Sequence, residues 1–71
     1  MQVRTMAELG ALVRAAREKA GLTQVELARR ARVSREWLVK VENGRTSAEM
    51  PRVMDVLAEL DLGLDVYERG E

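Results

Sequence analysis

The feature that most constrains this chain is a pair of short helix starts with a turn of only about three residues between the helices they open. The first is Thr23-Gln24-Val25-Glu26, in which Thr23 can cap the helix while Glu26 reaches back to the cap, a capping box. Leu22 and Leu27 flank it as a hydrophobic staple, and the helix is predicted to end near Ala31. The second is Ser34, a good N-cap with Val33 and Leu38 as its staple pair. That helix is predicted from Arg35 to about Asn43, where Gly44 stops it. Two capped helices this short and this close together predict a helix-turn-helix.

Around this unit the periodicity is helical. Met6, Leu9, Val13, Ala16 and Ala20 form one apolar stripe, so a first helix is predicted from about Met6 to Ala20, closed by Gly21. A fourth follows Thr46-Ser47, with Met50, Val53, Met54, Leu57 and Leu60 as its apolar face. Pro51 is harmless in a first turn and costs about 3 kcal/mol in an interior, so this helix should begin between Ala48 and Pro51. In the tail the period becomes two: Leu62, Leu64 and Val66 alternate with Gly63, Asp65 and Tyr67, which reads as a short strand. A lone strand leaves both edges unpaired, so the economical partner is the same strand of a second copy; a frayed tail is the alternative.

Length points the same way. Seventy-one residues make one domain, and a chain of that size buries only about 60% of the surface its unfolded form exposes. Small domains commonly add disulfides, metals or oligomerisation. With no Cys and no His, oligomerisation is the route left open, and no metal or cofactor is expected. The absence of a signal-like or spanning apolar run predicts a soluble, cytoplasmic protein. Net charge is zero, but residues 1–47 carry ten Lys/Arg against five Asp/Glu, and residues 48–71 two against seven. The basic half suits a polyanion; ordinary solvated surface charge is the duller reading.

The run Gly21-Leu22-Thr23-Gln24-Val25-Glu26-Leu27-Ala28, followed by Val33-Ser34, Leu38 and Glu42-Asn43-Gly44, resembles the lambda-repressor/Cro-like (Xre) helix-turn-helix family over roughly residues 8–61. Ser34-Arg35-Glu36-Trp37-Leu38, Thr46-Ser47-Ala48-Glu49 and the tail Leu62–Tyr67 are similar to the HipB-like antitoxin subfamily. The resemblance implies an all-α domain of four to five helices over residues 1–61, with residues 62–71 as a C-terminal strand for dimerisation. It implies a homodimer on a palindromic, double-stranded operator, and a HipA-like Ser/Thr kinase toxin as a further partner.

The helix after Ser34 is the candidate reading element, because the major groove admits one α-helix. Val33, Leu38 and Val41 should face inward, leaving Arg35, Glu36, Trp37, Val39 and Lys40 outside. Arg35 can pair bidentately with guanine, Lys40 can serve a guanine or a phosphate, and Glu36 can accept from cytosine or orient Arg35. Trp37 either touches a thymine methyl or packs on the preceding helix. The resemblance implies base contacts from Ser34, Arg35, Glu36 and Lys40, phosphate contacts from Gln24, Asn43 and Arg45, and a structural ion pair between Arg17 and Glu42. Dimerisation is expected through Met54, Val56, Leu62, Leu64 and Val66, while Leu57 and Leu60 read as core. An enzyme is disfavoured, since there is no His or Cys, no Gly-rich phosphate loop and too little chain for a closed pocket beside a core. A stand-alone autorepressor and a protein-interaction module that has lost DNA binding are the competing readings.

Overall fold

The computed structural model describes residues 2–70, which form four helices and, among those residues, no strand. Helix α1 spans Met6–Lys19, α2 Gln24–Ala31, α3 Arg35–Glu42 and α4 Met50–Glu59. The first three start where side chains satisfy the free N–H groups of the opening turn. Thr5 and Glu8 form a capping box on α1, Thr23 and Glu26 form one on α2, and Ser34 accepts from the Trp37 N–H on α3. The box at Thr5 was not anticipated from the sequence. Helix α4 has no side-chain cap; Glu49 precedes it and Pro51 sits in its first turn, within the predicted window.

Helix α3 packs against both α1 and α2, and α2 also packs against α4. Val13, Leu27, Leu38, Val53, Val56 and Leu57 form the centre of the core, with Leu27 and Leu38 fully buried. The staple residues Leu22 and Val33 lie partly buried against it, as do Trp37, Leu60 and Leu62. Two glycines set how closely α1 approaches the end of α3. A Cβ at Gly10 would fall on the carbonyl oxygens of Val41 and Glu42, and one at Gly44, held at φ 67°, would strike the Ala7 backbone.

Several expectations require correction. The predicted tail strand is absent: residues 63–70 carry no regular structure. The physical reason is the absence of a pairing edge, since a strand exists only through hydrogen bonds to a neighbour and the described residues offer none. No fifth helix forms among the described residues. The anticipated face of α4 is rotated, because α2 lies against Val53, Val56 and Leu57 while Met50 and Met54 point to solvent. Val56, expected at a dimer interface, is 1% exposed and belongs to the core of the single chain. Ala20, assigned to the inner stripe of α1, is exposed at its C-cap. Two turns use left-handed non-glycine residues, Arg32 (φ 59°) after α2 and Asp61 (φ 57°) after α4. The Asp61 and Leu62 N–H groups bond back to Ala58 and Leu57, closing the last turn of α4.

Candidate nucleic-acid interface

The amphipathic pattern of α3 explains its outer face. Leu38 and Val41 turn into the core and Trp37 and Val39 are half-buried, so Arg35, Glu36 and Lys40 are the charged side chains left in solvent. Ser34 stands exposed at the N-terminus of α3, though its hydroxyl is occupied as a cap. Asn43 is the C-cap and Arg45 follows it, both exposed. The groups singled out from the sequence therefore run along one helix and its two ends. Trp37 lies partly buried against the core, in agreement with its packing alternative.

Beneath this face lies a polar network. The Arg17 Nε donates to Glu42 Oε2 at 2.7 Å and its Nη2 to Glu42 Oε1 at 3.1 Å, tying α1 to the last residue of α3. The third guanidinium nitrogen donates to the Leu22 carbonyl at 2.9 Å, which holds the α1–α2 turn. The two side chains are 10% and 2% exposed, so each charge depends on the other for the solvation it has lost. Its hydrogen bonding to the Glu42 carboxylate holds the Arg17 guanidinium above its already high ordinary pKa, against the opposing effect of burial; the negative charges of Glu42 and Glu18 add to the rise. Among the described residues no buried side-chain polar atom lacks a partner.

Gln24, the first residue of α2, extends the network to the surface. Its Nε2 donates to Glu42 Oε1 at 3.1 Å, and its Oε1 accepts from Arg35 Nη2 at 3.4 Å. The family resemblance implied DNA contacts from Gln24 and Arg35 and, separately, a structural Arg17–Glu42 ion pair; it implied no link between them. The sequence reading also missed Arg14. This residue lines a shallow depression of about 480 Å³ together with Thr23, Gln24, Val25 and Arg35. Its signal was its place one helical turn before Arg17 on a helix that otherwise turns an apolar stripe inward. Within the α2 capping box, the hydrogen bond from the Thr23 backbone N–H, with a smaller contribution from the Thr23 side chain, holds the Glu26 carboxylate below the usual range. Among the described residues no acidic cluster is arranged to hold a metal ion.

A family profile described as a helix-turn-helix domain matches residues 8–71. The chain belongs to the Xre-like helix-turn-helix family. A curated relative, an uncharacterised HTH-type transcriptional regulator named y4mF from Sinorhizobium fredii (strain NBRC 101917 / NGR234), is 37% identical over 70 residues, covering 99% of this chain and 92% of its own. Among solved structures, HipB in complex with its O2 20-mer superposes with a TM-score of 0.86 at 18% identity, over 99% of this chain and 97% of that one. HipB in the HipA–HipB–O2–O3 complex gives the same score and identity, covering 99% of both chains. The clp gene regulator ClgR from Corynebacterium glutamicum superposes with a TM-score of 0.78 at 31% identity, over 87% of this chain and 66% of its own. The HipB likeness is one of fold, and it runs the length of the chain. No helix of the described residues is long and apolar enough to cross a membrane.

Proposed function

We propose that this helix-turn-helix protein is a sequence-specific DNA-binding repressor that reads an inverted-repeat operator as a homodimer. The observation that carries the reading is the outer face of α3, where Arg35, Glu36 and Lys40 project from a helix anchored on two sides by α1 and α2. A helix held in this way can enter the major groove with its N-terminal residues against base edges. Arg35 is assigned to a guanine, Ser34, Glu36 and Lys40 to neighbouring base edges, and Gln24 at the start of α2 and Asn43 and Arg45 at the end of α3 to phosphates. Gln24 has the further advantage of the α2 N-terminus, where free N–H groups favour an anion.

One reading helix offers too few base contacts for useful specificity, so two copies are required. The proposed contact uses Met54, Leu64 and Val66, all more than half exposed, with Leu62 at its edge. Leu62 and Leu64 line a groove of about 620 Å³ between α1, α4 and the tail, floored by Leu9, Leu12, Val53 and Leu57. Apolar surface of this kind is common at sites of association.

An antitoxin role is the more specific form of the proposal. It is favoured by the full-length fold likeness to HipB, which has been solved together with HipA and operator DNA. The acidic C-terminal half would then offer a surface for a basic patch on a HipA-like kinase. A kinase-like reading frame beside the gene supports this form, and its absence favours a stand-alone repressor.

Footprinting on the DNA upstream of the protein's own coding region tests the central reading. Two protected half-sites about one helical turn, roughly 34 Å, apart and two chains per duplex are expected. Binding that protects no defined sequence at any protein concentration would overturn it.

A further inference from the structure

We infer that the buried Glu42 carboxylate is a positioning residue for base reading: through the Gln24 amide it sets the orientation of Arg35. This deepens the repressor proposal and rests on it. Glu42, ionised against Arg17, can only accept hydrogen bonds, and the Arg35 guanidinium can only donate them. A side chain bridging the two must donate at one end and accept at the other, and Gln24 is such a group. The ambiguity between amide oxygen and nitrogen is thereby removed: the NH2 faces Glu42 and the carbonyl faces Arg35.

The consequence is a chain of fixed polarity running from the interior to the reading surface. Arg17 holds Glu42 through two hydrogen bonds, Glu42 holds the Gln24 amide, and the Gln24 carbonyl restrains Arg35 at the first position of α3. Arg35 is otherwise an exposed, flexible side chain. A restraint present before DNA arrives lowers the entropy lost when its fork is aligned on a guanine. One hydrogen of the Gln24 NH2 remains for a phosphate, so a single residue serves both position and specificity. A phosphate contact alone would make Gln24 matter equally for every DNA sequence. The polarity chain makes it matter also for the base that Arg35 reads.

The test is selection from a library of randomised duplexes long enough for two half-sites, carried out with the full-length wild type and three variants. The wild type should enrich a guanine at one position of each half-site, and Arg35→Ala should lose that preference. Gln24→Met has nearly the same shape but neither donor nor acceptor; it should lose the same preference, by about ten-fold in the enrichment ratio. Any uniform loss of a phosphate contact cancels in that ratio. The third variant, Arg17→Met/Glu42→Leu, replaces the ion pair by apolar groups of similar size, a change that folded proteins commonly tolerate. Where circular dichroism shows it folded, it too should lose the preference at that one position; where it does not fold, Gln24→Met decides. The inference is overturned if Gln24→Met, or the folded double variant, keeps the guanine preference within about two-fold, or if Arg35→Ala keeps it. A wild type that enriches no sequence at all overturns the repressor reading itself, and the inference with it.

Discussion

In the first three helices every buried charge is answered from within the chain: Arg17 by Glu42 and a carbonyl, and Glu42 in turn by Gln24. In α4 and the tail the situation is reversed, with Met50, Met54, Leu64 and Val66 half or more exposed and Tyr67 nearly so. The first region is rich in Arg and Lys and the second in Asp and Glu. The difference teaches that the two regions are specified by different forces. The basic region is held by capping, close backbone approach and a buried ion pair, all complete in one chain. The acidic region leaves apolar surface for a further contact, which in this account comes from a second copy.

The largest effect should come from breaking the completeness of the first region. Arg17→Met leaves the Glu42 carboxylate buried without its counter-charge and should cost about 3–5 kcal/mol, measured by urea unfolding. Gly10→Ala should come next. Its methyl group meets the Val41 and Glu42 carbonyls, so α1 must move off α3, at about 1–3 kcal/mol despite the better helix propensity of Ala.

The contrast sharpens in the second region. Leu64→Asp with Val66→Asp should alter the stability of the separated chain by less than about 0.5 kcal/mol, because neither side chain is in the core. The same pair should abolish the dimer in sedimentation, whereas Val56→Ala should instead destabilise each chain. The smallest effect is local to α2. Its capping carboxylate, Glu26, has a folded pKa below the ordinary 4.5, so its contribution is present above that value and fades as pH falls through the folded value. Glu26→Gln keeps the capping geometry without the charge, and should flatten this part of the acid limb in a stability–pH series.

What could be read from the sequence follows the same division. Thr23, Glu26 and Ser34 announced α2 and α3 because capping is written in adjacent residues. Leu27 and Leu38 were marked as staple partners and Leu38 and Val41 as the inward side of α3, and all three are buried. Gly10 was not legible, because its value lies in the approach of α3, more than 30 residues away. Arg32 and Asp61 were not, since side chains that usually avoid left-handed backbone give no local sign of adopting it. In α4, Val56 was misplaced because its helix is apolar on more than one side, and only the position of α2 decides which side is inward. The tail alternates as a strand does, yet period two expresses a preference that needs a neighbouring edge to be realised.

The polarity chain escaped for a similar reason: Gln24, Arg35 and Glu42 stand on two helices, and their link is a property of packing. That packing leaves the cationic groups Arg35, Lys40 and Arg45 exposed along α3 and just past its end, where phosphates can exchange for condensed counterions. The salt dependence of binding to DNA upstream of the coding region tests this most directly. With Arg45 as the cationic phosphate contact of each of two chains, log affinity should fall against log salt with a slope of about −2. A flat line, or no binding at the lowest salt, would contradict the account.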